Sequence, residues 1–397
     1  MKQTINDLQN LKGKVVFLRV DFNVPIQNRK VTDVTRINSS LETISALLKE
    51  EAKVVLLSHL GRVKSEEDKK KNDMKIVADK FREISGIELK YSPETRGEAF
   101  ETAINELQDG ELLLIQNTRY EDFVNGEQVN NESGNSDELA SYWAQFADVY
   151  VNDAFGMAHR EHASNFGLST YVKENAIGKL IEKEIEQLGA LLKPEHPFVA
   201  IMSGAKVSDK IKLIDKLITK ADTIITAGGI GYTLAASTGL EVGQSLQEAK
   251  FYDYSRKLMN TGKVKFPVDF NCSKEFADTT PVYFETEITD PEFEGLDIGH
   301  KTIEMYKEIL STAKTVLWNG PLGVSEFNNY EKGTLEIGKF LAELDAVTII
   351  GGGDSAAAMV KLGLADKFTH ISTGGGATLV YLETNGVLPA LKNMKEK

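Results

Sequence analysis

The chain has 397 residues, 41% hydrophobic and 26% charged, with a formal net charge of −13, which suits a soluble globular protein too long for one core, so two domains are expected. The acid excess excludes the basic footprint of a nucleic-acid binder, and no apolar run approaches the roughly 18 residues of a membrane span. Cys272 is the single cysteine, which excludes intrachain disulfides and cysteine metal clusters, and the first residues lack the apolar core of a secretion signal, so the cytoplasm is the expected compartment.

Short β-rich runs alternate with helical patterns along the chain, which predicts parallel sheets covered by helices. In chain order, strands are expected at 15–20, 54–57, 112–115 and 149–151, then at 198–202, 223–226, 264–268, 315–318, 347–350 and 369–372. Residues 177–192 place apolar side chains at helical spacing among charges and stop before Pro194, which predicts a long helix near the domain boundary. The charge run 64–73 and the polar stretch 125–136 read as exposed loops.

Polar groups recur where the first four strands end. Arg19, Asp21 and Asn23 follow the first, His59, Gly61 and Arg62 the second, Asn117 and Arg119 the third, and the segment from Asn152 to Arg160 the fourth. Open parallel sheets bind ligands outside the carboxyl ends of their strands. A lone histidine there is more often a loop residue than a ligand contact, but four strand ends delivering Arg, His, Asn or Asp point to one crevice. Eight of the nine arginines lie at or before position 160. Their planar donor forks suit phosphate and carboxylate, so the first half is the better candidate for holding a small polyanion. Arg29, Arg82 and Arg96 are expected at the solvated surface.

In the second half, Lys206 and Lys210 follow a strand in the segment Ser203-Gly204-Ala205-Lys206 and onward. If a helix starts there, both cations share one face and oppose the helix dipole, which an anionic ligand would relieve. The alternative is a solvated lysine face like that of Lys212, Lys216 and Lys220. Two glycine triplets, Gly351 to Gly353 and Gly374 to Gly376, each follow an apolar run and precede helix formers. They read either as a paired anion cradle of close backbone and helix-start amides, or as two ordinary tight turns. Gly351, Gly353 and Ala356 also fit a dinucleotide fingerprint, but the acidic residue wanted about 20 positions on is missing, which disfavours NAD. Asp354 can approach a phosphate-bound Mg²⁺ or merely cap the following helix.

Taken in order, the segments 19–25, 58–62, 94–97, 151–164, 204–210, 267–269, 295–299, 318–324, 349–355 and 370–377 resemble phosphoglycerate kinase over essentially the whole chain. The resemblance implies an α/β fold of two similar-sized domains, each a parallel, Rossmann-like sheet flanked by helices, joined by a hinge helix. The implied division is 1–172 with 382–397 as a phosphoglycerate-binding domain, and 173–381, including the hinge helix 177–192, as a nucleotide-binding domain. It implies reversible transfer of the acyl phosphate of 1,3-bisphosphoglycerate to Mg-ADP, giving 3-phosphoglycerate and ATP, with domain closure and no general base. The ligands implied are those substrates, ATP or ADP and Mg²⁺, with no nucleic acid, no membrane and a monomeric cytoplasmic enzyme of glycolysis.

Carried onto this sequence, substrate contacts fall on Asp21, Phe22, Asn23, Arg36, His59, Leu60, Gly61, Arg62, Arg119 and Arg160. Nucleotide contacts fall on Lys206, Lys210, Gly228, Gly229, Gly295, Asn319, Glu326, Gly352, Gly353, Asp354 and Ser355, with Asp354 also the metal contact. Arg36, Lys206, Gly352 and Gly375 form the implied catalytic set around the phosphoryl group. Ser203 and Ala227 each stand where the family has glycine, Ser325 where it has phenylalanine, and Met157 where it has a small polar residue. A non-catalytic sugar-phosphate or nucleotide binder is the competing class, but such a protein would not need Arg36, Lys206 and Asp354 together.

Overall fold

Each of the ten apolar runs expected to be a strand contributes one, and together they supply most of two six-stranded parallel sheets. The computed structural model describes residues 1–397. The chain divides into one unit of Met1–Glu186 with Val387–Lys397 and a second of Gln187–Gly386.

The first unit contains β1 (Val15–Arg19), the hairpin β2 (Ile26–Gln27) and β3 (Lys30–Val31), β4 (Lys53–Leu57), β5 (Lys90–Tyr91) and β6 (Leu112–Leu114). A second hairpin, β7 (Phe123–Val124) and β8 (Glu127–Gln128), precedes β9 (Val149–Asn152) and β10 (Asn175–Ile177). Its main sheet runs β10-β9-β1-β4-β6-β5. Val16, Leu18, Val54, Leu56, Val149 and Val151 are buried on one face of this sheet and Phe17, Val55, Leu113 and Tyr150 on the other, which is why these strands read as continuous apolar runs. The strand order reverses between β1 and β9, where Arg19 pairs with Asn152.

The second unit contains β11 (Phe198–Ser203), β12 (Thr223–Ala227), β13 (Val264–Lys265), β14 (Asp269–Ser273), β15 (Val282–Glu285), β16 (Glu294–Ile298), β17 (Thr315–Asn319), β18 (Val347–Gly351) and β19 (His370–Ile371). The main sheet runs β13-β12-β11-β17-β18-β19 and reverses between β11 and β17, where Met202 pairs with Asn319. A separate antiparallel sheet, β15-β14-β16, was not foreseen. Its edge strand β15 is largely exposed and its central strand β14 carries Asp, Asn and Ser, so neither periodicity nor apolarity marks it.

The long helix spans Lys179–Leu192. The units divide at Glu186/Gln187 within it, and again at Gly386/Val387, where the sequence reading had drawn 172/173 and 381/382. Its first turn is tied into the first unit: Asp153 accepts hydrogen bonds from the amides of Leu180 and Ile181 at 2.9 and 3.2 Å, and the Thr43 hydroxyl accepts one from Lys179 at 2.9 Å. The closing segment is likewise bound to the first unit, with the Gln3 amide donating to Lys395 at 2.7 Å and the Ala390 amide to Ala158 at 3.0 Å. Two expected loops turn out otherwise. The run 64–73 contains the helix Glu66–Lys71, capped by the Ser65 hydroxyl, and the polar stretch 125–136 contains Glu132, which is fully buried.

Candidate active site

In the first unit, strand ends β9, β1, β4 and β6 lie side by side, so their following residues converge. Arg19 is completely buried and never reaches a ligand position. Its guanidinium donates to the Ser164 hydroxyl at 2.8 Å, to the Val20 carbonyl, and to Nδ1 of His59 at 3.2 Å. Arginine can only donate, so Nδ1 accepts and the His59 ring proton belongs on Nε2. Burial, then the charges of Arg19 and Arg119, hold His59 well below its usual pKa, so the ring is neutral.

Beneath this lies Glu132, with no exposed surface. Its carboxylate accepts from the Thr118 hydroxyl at 3.1 Å and from the Ser164 amide and hydroxyl at 2.9 and 2.5 Å. Burial alone would raise it, but His162, Arg19 and Ser164 bring its pKa down to about 2. Glu132 is the counter-charge of the cluster, and the sequence reading missed it because it lies in a polar stretch with no motif of its own.

Arg36 lies in the first turn of the helix Thr35–Lys49, where a cation opposes the helix dipole. Asp21 compensates with a 2.7 Å ion pair, in which Arg36 stays about one-third exposed. Asn23 accepts from the Gly61 amide at 2.8 Å, and Gly61 in turn accepts from Arg119 at 2.9 Å. Arg62, Arg119 and Arg160, with Lys64 and His162, line a cavity of about 520 Å³ in which only Asp122 and Glu161 carry negative charge. Burial lowers the Arg119 pKa, and its Nε is buried without a protein partner. Asp21, Asn23, Arg36 and His59 are not part of that lining. Phe22 and Leu60 are not brought to the crevice. The Phe22 ring is buried 6.0 Å from Phe81, and the Leu60 amide and carbonyl are both engaged by Asn117. Lys64 and His162 are lining residues the motifs did not single out; His162 stands two places past Arg160, which is the only sequence signal for it.

In the second unit, no helix begins at Lys206: it begins at Ile211, with Lys210 as its N-cap. The two lysines therefore share no helix face. Gly204 adopts φ +152°, and turns follow until Lys210 folds back onto the strand ends. Its ammonium donates to the Ser203 carbonyl and to the carbonyl and side-chain oxygen of Asn319 at 3.2 and 2.5 Å. These acceptors belong to β11 and β17, so Lys210 bridges the point where the strand order reverses. Burial draws its pKa down to about 8 against the opposing pull of Asp354 and Asp209. Lys206 is exposed.

The glycine turns meet. A Cβ on Gly375 would lie 2.7 Å from the Cα of Gly352 and 3.1 Å from the amide nitrogen of Gly353. Gly352, at φ +105°, precedes the helix Gly353–Lys361, and Gly374 precedes the helix Gly375–Glu383. The unsatisfied first-turn amides of two helices thus open beside each other. Gly353 has open space around it and Asp354 is exposed. Ser355 departs from expectation: its buried hydroxyl is occupied, accepting from the Gly320 amide at 2.6 Å and donating to Gly351 at 3.3 Å. Asn319 is also used internally, donating to Gly351 at 2.8 Å while accepting from Lys210.

At Gly229 a Cβ would fall 1.9 Å from the Ala205 carbonyl oxygen, and at Gly295 one would fall 2.3 Å from the Tyr232 hydroxyl, so both positions require glycine. Glu326 is exposed on the loop after β17. Ser203 and Ala227, two of the departures from the family, are register partners on β11 and β12, and the Ser203 hydroxyl is buried without a partner. Met157 is buried in the first unit, and Ser325 is buried beside Glu326.

Two parallel α/β sheets, one ending on a group of arginines and the other on paired glycine turns, define a protein built to handle phosphorylated small molecules. No helix is long and apolar enough to cross a membrane. The family model described as phosphoglycerate kinase matches residues 5–385, and the chain belongs to that family. It is 50% identical over 401 residues to the phosphoglycerate kinase of Lactiplantibacillus plantarum, covering 100% of both. Among solved structures it resembles phosphoglycerate kinase from Coxiella burnetii at a TM-score of 0.85 and 31% identity over 99% of each chain. The enzyme from Pyrococcus horikoshii OT3 follows at 0.84 and 29%, covering 99% of this chain and 98% of that one.

Proposed function

We infer that the chain catalyses reversible transfer of the acyl phosphate of 1,3-bisphosphoglycerate to Mg-ADP, yielding 3-phosphoglycerate and ATP. The observation that carries this reading is the contact of the two glycine turns, which aims two sets of free helix-start amides at one place. In the first unit, Arg62, Arg119 and Arg160 would hold the phosphate, and Asp21, Asn23, Arg36 and neutral His59 the glyceric acid end. Phe22, Leu60 and Gly61 contribute backbone scaffolding. In the second unit, Lys206, Lys210, Gly352, Gly353 and Asp354 would meet the nucleotide phosphates. Gly228, Gly229 and Gly295 would allow close approach of the nucleoside, Glu326 would contact it, and Asn319 and Ser355 would fix Lys210 and the turn.

The donor set fits a magnesium ion that arrives with its nucleotide. No three His, Cys, Asp or Glu side chains are placed to hold an ion by themselves, and Asp354 offers one exposed carboxylate to complement phosphate oxygens and water. Bound there, Mg²⁺ supplies charge neutralisation along the phosphate chain.

Neither nucleophile, an ADP oxygen forward or a carboxylate in reverse, carries a proton that must be removed. Positioning and stabilisation of charge on the equatorial oxygens therefore suffice. Arg36 from one unit and Lys206 with the Gly352 and Gly375 amides from the other would serve that charge. Because separate units hold the two ligands, turnover requires a hinge motion along the helix Lys179–Leu192, which also excludes water from the acyl phosphate. We place the enzyme in the cytoplasm as a monomer. ATP formation from 1,3-bisphosphoglycerate and ADP, followed in a coupled assay, tests the reading. Tight binding of both ligands without ATP would leave a binding protein instead, and solution scattering unchanged by the two substrates together would remove the hinge.

A further inference from the structure

We propose that Lys361 is a positioning residue of the nucleotide site, through which the helix that presents Gly353 and Asp354 at one end holds the Glu326 loop at the other. The proposal rests on the reading above that Glu326 meets the nucleotide.

Lys361 is the last residue of the helix Gly353–Lys361. At a rise of about 1.5 Å per residue, roughly 12 Å of rigid helix separates it from the glycine turn. Its ammonium donates to the main-chain carbonyl of Ser325 at 2.8 Å, to the Glu331 carboxylate at 2.6 Å and, more distantly, to the Asn328 side chain at 3.4 Å. Ser325 is the residue immediately before Glu326. Glu326 is exposed, and no hydrogen bond or ion pair fixes its side chain, so its position is set by the backbone beside it. Elsewhere the loop is held further away: the Val324 amide reaches Leu296 at 2.8 Å, and Asp278 accepts from the amides of Asn328 and Asn329 at 3.2 and 3.0 Å. Lys361 ties the Glu326 part of the loop to the helix that carries Asp354, while the first residue of the loop, Gly320, is held by Ser355 at the other end of that helix. One element thereby sets the spacing between the groups facing the phosphates and the group facing the nucleoside.

Lys361 is 42% exposed, and a surface ion pair by itself is worth little. A solvated pair changes nothing measurable, whereas a spacer changes nucleotide affinity while leaving the fold and the chemical step alone. Placing a cation in the last turn also suits the helix dipole, so arginine can replace it there.

The test compares Lys361→Met, Lys361→Arg, Glu326→Ala and the Lys361→Met/Glu326→Ala pair in steady-state kinetics with ADP varied and the phosphoglycerate substrate saturating. Lys361→Met should raise the KM for ADP about fivefold, equivalent to about 1 kcal/mol, with kcat within about twofold and the Tm within about 2 °C of the parent. Lys361→Arg should restore most of the affinity, and the double variant should match Glu326→Ala alone, because the lysine acts through the glutamate. If Glu326→Ala raises KM while Lys361→Met does not, or if the two effects simply add, the positioning role is overturned. If Glu326→Ala leaves KM unchanged, the nucleotide contact at Glu326 falls and this proposal falls with it.

Discussion

Replacing Gly375 by alanine tests the paired glycine turns directly. The new Cβ would lie 2.7 Å from the Cα of Gly352, 3.3 Å from its carbonyl carbon and 3.1 Å from the nitrogen of Gly353, all backbone atoms that no rotamer change can move. Carbon atoms pack at about 3.5 to 4.0 Å, so the turns must part by roughly 1 Å. Overpacking of this kind costs about 1–3 kcal/mol, partly offset because alanine favours a helix over glycine by about 1 kcal/mol. The net loss should lower Tm by only a few degrees. A shift of about 1 Å at a reacting centre can cost about 10²-fold in rate, so kcat should fall by that order while the KM for 3-phosphoglycerate stays within about twofold. Gly353→Ala is the control. It alters the facing turn of the pair, but nothing lies within 4 Å of the added Cβ, and kcat should drop by less than about tenfold. Steady-state kinetics and thermal melts on both variants decide the matter. Equal kcat values for the two would refute the reasoning, since only one of them forces the turns apart.

Arg36→Ala should lower kcat by about 10³ to 10⁵, or about 4–7 kcal/mol, if Arg36 serves the transferring phosphoryl group; a variant that keeps most of its kcat removes Arg36 from that role. Lys210, drawn down to about 8 by burial, should make nucleotide KM flat at neutral pH and rising as pH climbs through 8, because the phosphates need the charged amine. Lys210→Arg, charged throughout, should lose that rise, and an unchanged pH profile would count against the assignment. The sign for stability is opposite: below pH 8 the charged amine is a cost to folding, relieved as pH rises towards the unfolded value of about 10.4. For Glu132, held down to about 2, the stabilisation is present above the unfolded value of about 4.3 and lost as pH falls from there towards 2. Glu132→Gln should cost about 3–5 kcal/mol near neutrality by leaving the buried Arg19 without its counter-charge. An acid-unfolding midpoint identical to the parent's would contradict this.

The parallel sheets were legible because strands buried on both faces read as apolar runs, and Val16, Val54 and Val149 lie in such runs. The antiparallel sheet was hidden because Val282 and Tyr283 face solvent while Asp269 and Ser273 are buried. The glycine turns were legible as turns but not as a pair, since their contact joins residues more than 20 positions apart. Spacing misled at Lys206 and Lys210: the i,i+4 interval suggested a helix face, but Gly204 bends the chain and Lys210 finds acceptors on two strand ends. Glu132, Arg19 and Ser164 carry the electrostatics of the first unit from beneath it. Only folding brings them together, across 145 positions in the case of Arg19 and Ser164.

The first unit is built from both sides of the second in sequence, with Val387–Lys397 packed against residues such as Gln3 and Ala158. During synthesis the second unit, continuous from Gln187 to Gly386, can complete its sheets as soon as it emerges. The first must wait with Gln3 and Ala158 lacking their partners until the strand-like tail at Lys395 is made. The arginine-bearing half is therefore the last to reach its final stability, and a chain cut short at Gly386 would keep a whole nucleotide half beside an unfinished partner.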